Sequence, residues 1–273
     1  MHTQDVPGQT VISPPAEPAK SWAIDCAKNE EQVIEHPGSY LRYKLHQVDQ
    51  KGDQLRDQIE TQQGTVARLI ERDGRPLTPE QDSAERARLN AMISSPDDFA
   101  HHIRREQEGR RDGLVLLRLM PDAMLWSYTP GQPQLQSGPG GPPLIVLDFK
   151  PDPKWSAPNL QSEVLTGLQG RIWIDSTTRR LVHLEAAVFR PVNVGWGFLA
   201  HVYPGGTVTL DQTAVGNERW IARHVAQQFT LRALVVKSVH QQATTDTSDY
   251  QKVPGMSYQQ AIKLLLDTPL PQH

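Results

Sequence analysis

His102 and Glu106 are four residues apart, so on a helix they stand on one face and within reach of a single metal ion. Two ligands do not make a site. The neighbours Arg104, Arg105, Arg110 and Arg111 give the same segment the composition of a solvated helix face. A second set of candidate groups lies on predicted strands: His183 with Glu185, His201 with Tyr203, and His224. Histidines gathered from neighbouring strands would make a polar or metal-binding site suited to hydrolysis. The alternative is separate surface histidines, and only the pairing register decides. Asp148 and Lys150 share a strand face, because residues two apart point the same way, and are expected to form a surface ion pair. The chain carries no Gly-rich phosphate loop, no His-Glu-x-x-His, no Gly-x-Ser-x-Gly and no cysteine pair, which lowers the expectation of an enzyme.

The elements that must position these groups follow from periodicity. Residues 1–20 hold four prolines and few apolar residues, and are expected to be a flexible leader. Trp22, Ala23, Ala27, Val33 and Ile34 fall at helical spacing, and His36-Pro37-Gly38 stops that helix. Tyr40 to Val48 alternates as a strand, and Leu55 to Ile70 as a second, solvated one that breaks at Gly64. Thr78-Pro79-Glu80-Gln81 has the cap, first-turn proline and third-position glutamine of a capping box, and predicts a helix from about Pro79 to Met92. Ser95-Pro96-Asp97-Asp98 repeats the device, and the second helix is expected to stop at Gly109 or Gly113. From Met124 onward the pattern is that of strands, interrupted by a Gly/Pro-rich loop at 129–143, with hairpin-length turns that imply antiparallel neighbours. Ser257 caps a closing amphipathic helix.

The resulting class is α+β: a large curved antiparallel sheet, an open half-barrel, with helices packed on the concave face. One domain is expected over 21–273, with a helical insertion at about 79–113.

Composition narrows the partners. A formal charge of −3 over 273 residues gives no basic field, so nucleic acid is not expected. The lone Cys26 forms no intrachain disulfide and is expected to be an inert thiol. No run approaches the roughly 20 apolar residues of a membrane-spanning helix. The first residues show no basic and apolar signal regions, so either the chain is cytoplasmic or a signal peptide has been removed.

Trp126, Trp173, Trp196, Phe198 and Trp220 fall on or beside strands, and concave sites for apolar ligands are lined by such side chains. Three features carry a family resemblance: the strand-turn-strand Gly170-Arg-Ile-Trp-Ile-Asp-Ser-Thr-Thr-Arg-Arg-Leu-Val-His-Leu-Glu185, the early strands ending in Leu-Ile-Glu-Arg-Asp-Gly-Arg-Pro-Leu-Thr78-Pro-Glu-Gln, and the helical insertion before a β meander. Over roughly 38–245 the chain resembles the bacterial outer-membrane lipoprotein-sorting and lipoprotein-carrier superfamily. The resemblance implies an open half-barrel plugged by helices, acyl chains held in its cavity, no cofactor, and a periplasmic or outer-membrane location with the signal peptide removed. The proline-rich leader, the charged segment 79–113 and the loop 129–143 depart from a plain carrier.

The expectation is therefore a non-enzymatic envelope protein, monomeric, binding a lipid or acyl chain, with peripheral membrane contact. Its candidate lining residues are Trp126, Ile145, Leu147, Trp173, Leu184 and Phe198. The alternatives are a protein-interaction or sensor module that uses the 79–113 helices, and a hydrolase or metal-dependent enzyme that uses His183, His201 or His224.

Overall fold

The computed structural model describes residues 17–130, 143–194, 200–216, 219–233 and 238–271. Trp196, Phe198, most of the leader and most of the Gly/Pro loop lie outside the described residues.

The first element is helix α1, Ala19–Glu35, which buries Trp22, Ala23, Cys26 and Glu30 along one stripe. Three antiparallel strands follow: β1 Tyr40–Asp49, β2 Gly52–Thr61 and β3 Gly64–Arg72. Gly64 turns the second hairpin at φ +134°, and a Cβ there would lie 2.2 Å from Ile103 Cδ1, so only glycine fits. The break expected at Gly64 is thus the turn between two separate strands. After the short β4, Arg75–Pro76, helix α2 spans Pro79–Ser94. Its capping box is formed: Thr78 Oγ1 accepts from the Gln81 N–H, and Gln81 Oε1 accepts from the Thr78 N–H.

Helix α3 runs from Pro96 to Ala123 and passes straight through Gly109 and Gly113. Both glycines face open space. The helix continues because Leu116, Leu119 and Met120 beyond them pack into the main core. Burial of that face outweighs the roughly 1 kcal/mol each glycine costs a helix. The cap expected at Ser95 makes no side-chain bond.

The remaining strands are β5 Met124–Tyr128, β6 Leu144–Pro151, β7 Leu168–Asp175, β8 Leu181–Val188, β9 Val192–Val194, β10 Ala200–Val202, β11 Thr207–Val215, β12 Arg219–Ala233 and β13 Val239–Val253. A 3-10 helix, Gln161–Gly167, precedes β7, and helix α4, Tyr258–Asp267, closes the chain behind a second complete capping box at Ser257. The sheet order is β4-β3-β2-β1-β13-β12-β11-β8-β7-β6-β5, with β9 and β10 branching from β12. Each pairing is antiparallel, and the path ends at β4 and β5 rather than closing into a barrel. The α+β class and the large open antiparallel sheet are therefore as expected. No helix among the described residues is long and apolar enough to cross a membrane.

Two cores hold the sheet. The larger joins Ile145, Leu147 and Phe149 of β6 and Ile172 and Ile174 of β7 to Trp22, Ala23 and Cys26 of α1 and Ala123 of α3. The smaller joins Ile59 of β2 and Val66 of β3 to Leu89 of α2, Phe99 and Ile103 of α3, and Tyr258, Ala261, Ile262 and Leu265 of α4.

Register places the two cores on opposite faces. Directly paired residues project to the same side. The series Ile172, Leu184, Leu210, Val225, Thr245, Gln47 therefore stays on the face that α1 covers. In β1, Gln47, Leu45 and Tyr43 share that face, while Arg42, which pairs with Ile59, points the other way. So α1 and the C-terminal part of α3 cover one face of the β5–β8 half. Helices α2 and α4 cover the opposite face of β2 and β3. This divides the helices that the sequence placed on one face. The physical reason is the parity of the register, which the chain's periodicity does not reveal.

Candidate functional site

Between the two cores the α1-side face is only partly covered, and a cleft of about 540 Å3 opens there. Its floor comes from Glu60 of β2 and from Trp220 and Ala222 of β12, and its walls from Val33 and Ile34 at the end of α1 and from Ile103 and Arg110 of α3. Val33, Ile34 and Trp220 are half-buried rather than packed away. Next to it lies a hollow of about 870 Å3 over Tyr43, Gln47 and Gln58, overhung by His102 and Arg105. The two share Glu60, Thr65 and Glu106.

An ion pair sits at the junction. Arg219 donates from Nη2 to Glu60 Oε1 at 2.5 Å and from Nη1 to the Pro37 carbonyl at 3.2 Å. The Arg219 side chain is 10 % exposed. Its Nε has no partner among the described residues. The other oxygen of Glu60 accepts from the Leu41 N–H at 3.1 Å. Burial pushes the Glu60 carboxyl above the usual carboxylate range, with Arg219 opposing. Burial likewise pushes the Tyr43 phenol up, and Gln58 Nε2 donates to its oxygen at 2.5 Å.

Helix α3 is pinned to the β2–β3 hairpin by the pair read as possible metal ligands. His102 Nε2 lies 2.8 Å from the Thr65 carbonyl oxygen. Glu106 accepts from the Thr65 hydroxyl at 2.8 Å and from its N–H at 3.1 Å. The spacing did put both on one face, and that face clamps the hairpin tip.

The strand histidines are placed by register. On the sheet face away from α1, Trp173 meets His183 edge-on at 4.6 Å, His183 Nδ1 lies 2.6 Å from Asp211, and His224 Nδ1 lies 2.6 Å from Asp246. Asp211 pairs with His224 and Asp246 with His46, so imidazoles and carboxylates alternate across β8, β11, β12, β13 and β1. His201 lies elsewhere, on β10, beside Asn193 at 2.6 Å. Among the described residues no group of three His, Cys, Asp or Glu is placed to hold a metal.

The residues expected to line a ligand cavity do not meet in one. Ile145 and Leu147 are 5 % and 0 % exposed inside the larger core, with Trp126 and Leu184 packed at its margin. Trp173 stands on the opposite face, and Phe198 lies outside the described residues. Asp148 accepts from Arg171 at 2.6 Å. Asp148 and Lys150 also line an open groove of about 800 Å3 with Leu125, Ser127, Gln169 and Glu185.

The chain matches no protein-family model, no curated protein and no solved structure.

The cleft's chemistry is therefore read from its own groups: half-buried apolar walls, one buried ion pair and arginine donors at its rim. Such a set suits holding a molecule with an apolar body and a polar end. Sequence reasoning noted Trp220 as a strand aromatic but had no signal for Glu60 and Arg219, which lie 159 positions apart.

Proposed function

We propose that the protein is a non-enzymatic binding protein of the bacterial envelope that holds a lipid or other apolar ligand in the cleft between α1, α3 and β12. The observation that carries the reading is the cleft wall. Val33, Ile34 and Trp220 are left half-buried around about 540 Å3, while the larger core beside it is filled. Covering that wall removes apolar surface from water, worth about 25 cal/mol per Å2. The open antiparallel sheet with helices on its face suits a carrier of this kind. The resemblance to lipoprotein carriers supports the envelope location, and sorting or transport of lipoproteins is the activity it suggests.

Mass spectrometry of an organic extract of the purified protein tests this, together with the variant Ala222→Trp, which fills the cleft floor. A co-purifying lipid that is lost in the variant supports the reading. An extract with no lipid, and a wild-type chain that binds no acyl probe, would overturn it.

A second reading has one observation in its favour. Arg104, Arg105 and Arg111 on α3 are exposed and form no ion pair among the described residues, as a surface for an acidic protein would. Deleting 79–113 cannot test it, because Leu89, Phe99 and Ile103 belong to the smaller core. Charge reversal of the three arginines can: a partner lost on reversal supports this reading, and one retained counts against it.

A further inference from the structure

We infer that the ligand of this cleft carries an acidic head group, and that Arg219 and Arg110 receive it. The inference rests on the binding reading above and names the class of ligand: an amphiphile with an apolar tail and a terminal anion.

The hydrogen-bond inventory of the cleft is one-sided. Three carboxylates line it, and each already has its donors. Glu60 accepts from Arg219 and from the Leu41 N–H. Glu106 accepts twice from Thr65. Glu35 accepts from Arg118 at 2.6 Å. The unused capacity belongs to cationic donors. Arg110 has no hydrogen bond or ion pair among the described residues, and Arg219 keeps Nε without a partner. A guanidinium is a planar fork of donors that matches a carboxylate or phosphate two bonds at a time. A buried Nε without an acceptor is a cost that an incoming anion would remove.

The pairing of Arg219 with Glu60 is also one that an anion can replace. Glu60 is held above the usual carboxylate range mainly by burial, so taking up a proton there is easier than for an exposed glutamate. A protonated Glu60 leaves the Arg219 fork for the ligand's own oxygens. The walls Val33, Ile34 and Trp220 then cover the tail beside that head.

The chemistry is shared by fatty acids and by phosphate-headed lipids. The test uses three probes with one tail: laurate, lauryl phosphate and lauryl alcohol, each titrated calorimetrically into the full chain. Laurate and lauryl phosphate are expected to bind roughly tenfold or more tightly than the alcohol, the scale of a hydrogen bond to a charged group. Arg110→Gln is expected to lower the acid-over-alcohol ratio several-fold. Arg219→Lys, which keeps the charge without the fork, is expected to lower it as well. Circular dichroism and the thermal midpoint establish that each variant is folded, and the exposed Arg110 keeps the test open should Arg219→Lys misfold. A stronger response to the phosphate points to a phospholipid-type head, and a stronger response to laurate to a fatty acid.

Equal binding of acids and alcohol would overturn the head-group site while leaving the apolar cleft standing. A preference for acids that survives in both variants would overturn its assignment to these arginines. Binding of none of the three would overturn the cleft reading and this inference together.

Discussion

Arg219 of β12 donates to Glu60 of β2 at 2.5 Å, although β1 and β13 lie between their strands in the sheet. The bond closes the floor of the cleft and ties the N-terminal hairpins to the C-terminal meander. Truncating one partner of a buried pair leaves the other charge uncompensated. Arg219→Met is therefore expected to cost about 3–5 kcal/mol in a urea unfolding series. The loss should shrink in acid. Glu60 has a raised carboxyl, so its favourable contribution is complete below the usual glutamate range and is lost as pH rises through the folded-state value. Removing Arg219 enlarges that loss. A penalty independent of pH would contradict this account of Glu60.

Arg68 caps α4 from the sheet. It is 1 % exposed and donates to the Leu265 carbonyl at 2.6 Å, the Thr268 carbonyl at 2.7 Å and Asp82 at 2.8 Å. Helix α4 has no basic residue in its own last turn, so Arg68 supplies the positive group its C-terminal end favours. Arg68→Met should destabilise the chain by about 3–5 kcal/mol and speed amide exchange in α4. Arg68→Lys should not restore the helix end, because the fork that reaches both carbonyls through Nη1 and Asp82 through Nη2 is gone. Unchanged exchange in α4 would show that its end is held otherwise.

Acid should weaken the fold through Asp57. Burial acts to raise its carboxyl, but hydrogen bonds from Arg42 at 3.0 and 2.6 Å and from Lys44 at 2.8 Å outweigh it and hold it below the ordinary aspartate range. A lowered carboxyl contributes stability that is present above its unfolded value and lost as pH falls through the folded one. An acid titration of the urea midpoint should fall over that window, and Asp57→Asn should flatten the fall. An equally steep fall in the variant would move the effect elsewhere.

Glycines divide into two kinds. A Cβ on Gly170 would lie 2.0 Å from the Glu185 carbonyl oxygen and 2.8 Å from Ala186 Cα, so Gly170→Val should break the β7–β8 pairing and give insoluble chain. Gly109 and Gly113 meet nothing within 4 Å, and each replacement by alanine should stabilise α3 by about 0.5–1 kcal/mol. Thermal midpoints read both directions. A soluble, native-like Gly170→Val protein would show that the strands can separate there.

Local signals made much of this fold legible. The Thr78 and Ser257 caps appear where their sequences put them. What failed is what depends on pairing. A strand's own pattern does not say which neighbour it meets or which face that neighbour's helices cover. So Ile145 and Leu147, in the unbroken apolar run Leu144-Ile-Val-Leu147, read as cavity lining when they are packed core. The cleft was hidden for the same reason. Its walls come from α1, α3, β2 and β12, and its polar pair joins residues without a shared motif. Helix α3 was cut short in the reading because a glycine's local cost is visible in sequence, while the burial of Leu116, Leu119 and Met120 that outweighs it is not.

The central claim is that an acyl chain enters beside Trp220. A fatty acid brominated along its tail quenches tryptophan emission only on contact, so titrating it into wild-type protein and into Trp220→Phe isolates that side chain. Saturable quenching in the wild type that loses its Trp220 component in the variant is the predicted result. Emission unchanged by the brominated acid, or quenching identical in the two proteins, would contradict the claim.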